Sequence, residues 1–257
     1  MIFYLGSPDP RWIAWLDEVP LFLSARKLRK RRKLSKAITR WSLDSGGFSE
    51  LTLHGEWTIS PREYVEIVRR WREAGKLDWA AVQDWMCEPM VRKKTGLSVR
   101  EHQQRTIQSY LDLSELAPDL PWAPVLQGWT EKQYRRHIED YQKAGLDLST
   151  MVTVGLGSVC RRNTVDRWLY RLIQDLHKEG VKLHAFGMRV RSLERLFPFL
   201  HSADSMAWQV WARKGRREKV CLLEREDGCT EDCRTCLDFA RAWWESIVRR
   251  CTWEPTS

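Results

Sequence analysis

Residues 41–48 read Trp41-Ser42-Leu43-Asp44-Ser45-Gly46-Gly47-Phe48. The first four fit a short buried strand, which ends on a carboxylate followed within two residues by a pair of glycines. Parallel α/β sheets present their chemistry in this way, at the carboxyl ends of strands. Working outward, similar brief apolar runs recur at Ile2–Leu5, Leu21–Ser24, Trp79–Asp84, Ala123–Gln127, Met151–Gly155, Lys182–Gly187 and Ser202–Met206. Helix signals separate most of them. Ser60-Pro61-Arg62-Glu63 reads as a capping box opening a helix that runs to Gly75. Thr130, with Gln133 three residues on, opens another that ends at Gly145. Thr164 caps a third, whose stripe of Trp168, Leu169, Leu172, Ile173 and Leu176 stops near Gly180. Eight strands in this rhythm predict an α/β fold, a (β/α)8 TIM barrel over residues 1–211. The first two units carry the weakest signals, and an open doubly wound sheet is the alternative.

The chain has 257 residues, 43% hydrophobic and 30% charged, a mix that excludes a disordered tail. No run approaches the roughly 18 apolar residues of a membrane helix. The start, MIFYLGSPDPRW, lacks a secretory signal's basic flank and apolar stretch, so a cytoplasmic protein without a membrane partner is expected. The formal net charge is +9, and residues 1–40 alone carry +7. Most of that excess lies in the segment 26–36: Arg26, Lys27, Arg29, Lys30, Arg31, Arg32, Lys33 and Lys36. Such a block suits nucleic-acid phosphates, although a solvated basic face has the same composition.

In a barrel, polar residues at the strand ends share one mouth. Here these are Asp44, Asp84, Gln127-Gly128, Gly155-Leu156-Gly157, Gly187 and Asp204. The cysteines Cys221, Cys229, Cys233 and Cys236 form a separate cluster in residues 212–257, read as a zinc-binding helical appendage. Four thiolates at such spacing suit a closed, structural Zn²⁺ site, and the competing reading is an iron–sulfur cluster. Cys251 lies about 22 Å away if a helix intervenes, which makes Cys221 the better fourth ligand.

Asp44-Ser45-Gly46-Gly47-Phe48, followed in order by Asp84, Gln127-Gly128, the Gly155-Leu156-Gly157 loop and Gly187, resembles the tRNA-guanine transglycosylases, which are barrels of this type. Cys233-Arg-Thr-Cys236-Leu-Asp-Phe-Ala-Arg-Ala-Trp is similar to that family's zinc segment. The short chain, the basic run and fifteen Trp residues resemble more closely its DNA-modifying branch, the DpdA-like DNA 7-deazaguanine transglycosylases.

That resemblance implies exchange of guanine in DNA for a 7-deazaguanine base such as 7-cyano-7-deazaguanine. It implies Zn²⁺ as the structural metal and a covalent aspartyl–sugar intermediate. The family motif Gly-x-Asp-x-Phe-Asp-Cys carries its nucleophile on the second Asp, where this chain has Ala207; Asp204 or Asp44 takes that role. Asp44 otherwise matches the general acid/base. Asp84 and Gln127 match the readers of the base edge, a carboxylate accepting from N1–H and the exocyclic amine and an amide donating to O6. Ser45, Gly46, Gly128, Gly155, Leu156, Gly157 and Gly187 would contribute close backbone approach, with Phe48 and Met188 as stacking surfaces. Trp71 and Trp168 are expected in the core, and Trp129 as a stacking platform. The target base must be flipped or unpaired to enter. A tRNA substrate and a non-catalytic nucleic-acid-binding barrel are the alternatives, and helper proteins or a homodimer stay open.

Overall fold

The computed structural model describes residues 1–33, 35–160, 162, 166–214 and 232–252. Its strands are β1 (Ile2–Gly6), β2 (Leu21–Ser24), β3 (Trp41–Asp44), β4 (Leu77–Ala81), β5 (Trp122–Ala123), β6 (Val125–Leu126), β7 (Val154–Leu156), β8 (Leu183–Ala185) and β9 (Ser202–Ser205). All pair in parallel, in the order β5-β4-β3-β2-β1-β9-β8-β7-β6. The two ends of that order flank a single residue, Pro124. Trp122 and Ala123 pair with β4, while Val125 and Leu126 pair with β7. Proline has no N–H, so the ladder is interrupted there. Its carbonyl still accepts from Gly155 N at 2.8 Å. Residues 122–126 thus act as one strand meeting both neighbours, and the sheet is the nearly closed eight-stranded barrel expected from the sequence rather than an open sheet.

The helices are α1 (Ala25–Leu28), α2 (Gly47–His54), α3 (Pro61–Arg72), α4 (Pro89–Thr95), α5 (Val99–Leu116), α6 (Glu131–Lys143), α7 (Arg167–Lys178), α8 (Val190–Leu196), α9 (Ala207–Arg213) and α10 (Leu237–Thr252). In α3 the residues Tyr64, Ile67, Val68 and Trp71 fall at helical spacing and are buried, each worth about 1.5–3 kcal/mol of transfer free energy. Ser60 caps this helix by accepting from Glu63 N at 3.2 Å. The return half of the expected capping box is replaced: the Glu63 carboxylate takes Arg29 instead, at 2.6 Å. The stripe of α7 is buried at Leu169, Leu172, Ile173 and Leu176, with Trp168 half-buried against Tyr134. Asp166, not Thr164, stands at its N-cap, and Thr164 lies outside the described residues. The strand expected from Met151 starts only at Val154, because Leu148–Thr150 form a 3-10 turn held by Asp147.

Of the expected appendage 212–257, the described residues 212–214 and 232–252 lie against the barrel. Its boundary at residue 212 falls inside α9, and α10 buries Phe239, Ala240, Trp243 and Ile247 in the main core. Trp244 Nε1–H donates to Phe3 O at 2.6 Å, and the Trp243 ring lies 5.9 Å from that of Phe3. The α10 helix therefore covers β1 as an outer helix of the barrel does. Among the described residues no helix is long and apolar enough to cross a membrane.

Candidate active site at the carboxyl ends of the strands

Side chains alternate across a strand, so every second residue faces the barrel axis. Tyr4, Phe22, Trp79 and His184 fill the interior as a ring cluster, with Phe186 above; His184 lies 4.6 Å from Trp79, 4.8 Å from Phe186 and 5.2 Å from Phe22 between ring centroids. One step further along β2, β3 and β9 the same faces present Ser24, Asp44 and Asp204. These open onto a cavity of about 750 Å³ that also receives Asp84. Its apolar lining includes Phe22, Phe48, Met86, Phe186, Met188 and Met206. Three carboxylates from distant segments thus share one space above an aromatic floor.

Their surroundings differ. Asp44 accepts from the Gly46 backbone N–H and the Ser24 hydroxyl, but burial and the neighbouring Asp204 charge outweigh these bonds and raise its pKa to about 6. Gly46 takes a left-handed φ of 89°, which suits glycine, where it turns its N–H to this carboxylate. Asp84 is raised to about 7 by burial first and by Asp44 second. It accepts from Gln127 Nε2 at 2.5 Å and from Ser45 Oγ at 3.3 Å. Asp204 accepts through Oδ1 from the Gly187 backbone N–H at 2.8 Å, and the same oxygen lies 3.2 Å from His184 Nε2.

A family model described as DpdA, DeoxyPurine in DNA protein A, matches residues 1–256. The chain belongs to the DpdA family. That membership agrees with the branch that the strand-end motifs resemble, and it makes the chain a DNA-modifying enzyme. No curated protein matches it. Among solved structures it is similar to a protein of Coccidioides immitis assigned as a fructose-1,6-biphosphate aldolase, at 12% identity, covering 96% of this chain and 86% of that one with a TM-score of 0.49. It is also similar to the YdjI aldolase of Escherichia coli K12, at 9% identity, with coverages of 97% and 89% and a TM-score of 0.46.

In this DpdA chain, several residues expected to touch a ligand are held by neighbouring side chains or by the sheet. Gln127 is fully buried; its amide nitrogen holds Asp84 and its carbonyl accepts from Ser158 Oγ at 2.7 Å. Its backbone N–H donates to His137 Nδ1 at 2.9 Å. A Cβ on Gly157 would lie 2.2 Å from Gln127 Nε2, so glycine at 157 is what admits this side chain. Gly155 and Gly128 likewise make room for Phe186 and Tyr134. The N–H groups of Gly155 and Gly157 are taken by the sheet, and Leu156 is buried within it. Of Gln127, Gly128, Gly155, Leu156 and Gly157, only Gly157 lines the cavity, joined there by Gly187, Met188 and Phe48.

The basic segment is also partly committed. Arg26 pairs with Glu50 at 3.0 Å, Arg29 with Glu63 at 2.6 Å and Arg31 with Asp9 at 3.2 Å. Lys27, Lys30, Arg32, Lys33 and Lys36 remain exposed. Arg26 and Lys27 reach the cavity, where Arg189 and Arg213 meet them from the β8 and α9 sides. Trp71 is buried, and Trp129 is covered by the guanidinium of Arg162, 4.5 Å from its ring centroid. Cys221 and Cys229 lie outside the described residues; Cys233 is half-buried and Cys236 buried just before α10. Among the described residues no cluster of metal-ligating side chains forms.

Sequence reasoning missed His184, Arg189 and Arg213. Arg189 follows the Gly187-Met188 strand end by one residue, a position that could have drawn notice. His184 sits in a short apolar strand and reads there as packing.

Proposed function

We propose that this protein exchanges guanine in DNA for a 7-deazaguanine base through an aspartyl–sugar intermediate. The observation that carries the reading is the convergence of Asp44, Asp84 and Asp204 on one cavity with an aromatic floor. Asp204 is the nucleophile: with Oδ1 held by two donors, Oδ2 attacks C1′ of the deoxyribose as the bond to guanine N9 breaks. Asp44 supplies the proton that lets guanine leave neutral. Its raised pKa suits it to hold that proton near neutral pH and to recover one from the incoming base. The deprotonated nitrogen of the 7-deazaguanine then attacks C1′ from the opposite side and expels Asp204. Two inversions restore the β configuration. Asp84, aimed by Gln127 and Ser45, faces the base edge.

The wall of Arg26, Lys27, Arg189 and Arg213 meets the DNA backbone, and the target nucleotide enters flipped or unpaired. A structural Zn²⁺ on Cys221, Cys229, Cys233 and Cys236 belongs to the same proposal. Cys236 offers one such sulfur beside α10, buried and accepting from Phe239 N at 3.4 Å.

The test incubates purified protein with guanine-containing DNA, tRNA and 7-cyano-7-deazaguanine, digests each polymer and measures nucleosides by mass spectrometry. Modified deoxynucleoside from DNA is expected. Product from tRNA alone moves the substrate to RNA, and retained binding without product makes the barrel a non-catalytic binder. Metal analysis is expected to find one zinc per chain; iron with sulfide in its place overturns the zinc assignment.

A further inference from the structure

We propose that His184 is the positioning residue of the nucleophile, fixing Asp204 from the layer of the barrel below it; this rests on the reading of Asp204 as the attacking group. Ser202 and Asp204 are two apart on β9 and face the same way. The register of the sheet sets His184 of β8 beside Ser202. The imidazole spans the two: Nδ1 lies 2.9 Å from Ser202 Oγ and Nε2 lies 3.2 Å from Asp204 Oδ1. Burial among aromatic rings lowers the His184 pKa and keeps the ring neutral, so it carries one proton. As the attacking carboxylate Asp204 accepts only, which places that proton on Nε2 and makes the Ser202 hydroxyl the donor to Nδ1.

The ring cannot rotate out of this arrangement without displacing Tyr4, Phe22, Trp79 and Phe186. His184 and the Gly187 N–H therefore hold the same oxygen of Asp204, Oδ1. Among the described residues Oδ2 has no partner, and it faces the cavity as the attacking atom. A neutral donor also leaves the carboxylate more nucleophilic than a full positive charge beside it would, since it quenches less of the anionic charge.

The test compares His184→Leu, His184→Gln and wild type by base-exchange kinetics on a guanine-containing oligonucleotide with 7-cyano-7-deazaguanine. Leucine fills the aromatic pocket without a donor, whereas glutamine can return its amide N–H to Asp204. Expected for His184→Leu is a kcat about 10²-fold lower with KM for DNA unchanged, the scale of a misplaced reacting group. His184→Gln should recover kcat to within about tenfold of wild type, the factor one ordinary hydrogen bond carries. Should His184→Leu fail to fold, Ser202→Ala takes its place, with an expected fall in kcat of about tenfold. Wild-type kcat in His184→Leu, a glutamine variant no better than the leucine one, or wild-type kcat in Ser202→Ala overturns the proposal. Asp204→Asn is run alongside: if it keeps exchanging bases the parent reading falls, whereas a dead Asp204→Asn beside a fully active His184→Leu removes only this inference.

Discussion

The two walls of the cavity hold the same functional group in opposite settings. On the β3–β4 side, half-buried Asp44 and buried Asp84 lie near one another, and both are pushed toward the protonated form. On the β8–β9 side, Asp204 Oδ1 accepts from the Gly187 N–H at 2.8 Å and lies 3.2 Å from His184 Nε2, with no second carboxylate hydrogen-bonded to it among the described residues. On the proposed function, these different surroundings divide carboxylates of one chemistry into a proton carrier and a nucleophile. Residue type alone assigns neither role.

Substitutions on each wall should separate the two roles. The largest effect is expected on the β8–β9 side: Asp204→Asn removes the proposed attacking group and should lower kcat about 10⁴-fold or more, with no protein–DNA adduct detectable by intact mass. Across the cavity, Asp44→Asn should cost about 10²–10⁴-fold in kcat and erase the inflection near pH 6 from the pH–rate profile. An inflection that persists in Asp44→Asn assigns it to another group and breaks the division.

Asp84 gives a stability readout. Its pKa rises on folding from 3.8 to about 7, so the folded chain keeps a proton that the unfolded chain releases. Stability on this account is full below about pH 4 and declines as pH climbs toward and past 7. Asp84→Asn keeps the shape and removes the buried charge. It should be more stable than wild type at pH 8, by up to about 4 kcal/mol, and equal to it near pH 3 in urea unfolding. A variant less stable at pH 8 would show that the ionised carboxylate is the form its neighbours support. The smallest effect belongs to the rim. Lys27→Ala should raise the Kd for DNA modestly and reduce the slope of log Kd against log salt by about one, with kcat retained.

Much of the fold can be read from local pattern. Leu21–Ser24 and Trp41–Asp44 are strands at the limits their apolar runs suggest, and α3 and α6 start where Ser60 and Thr130 signal. Local steric and hydrogen-bonding rules fix such features, and nearby residues carry them. The gathering of Asp44, Asp84 and Asp204 at strand ends follows from the same rhythm once a barrel is inferred.

Long-range pairing is another matter. Glu63 completes a capping box by its spacing, yet it goes to Arg29, and Arg26 and Arg31 are drawn to Glu50 and Asp9. Gln127 has the chemistry of a base reader but turns inward to hold Asp84, with Gly157 cleared to admit it.

By itself the sequence determined which segments become strands and which of them end in or close before an acid, though not every strand limit: the run expected to Asp84 ends at Ala81. Only the tertiary structure decided which acids have a raised pKa, which basic side chains line the mouth, and that His184 lies beneath Asp204. Propensity and periodicity act over a few residues of chain. Burial, charge compensation and sheet register depend on neighbours brought together from distant positions, and these set the proton affinity and aim of each side chain.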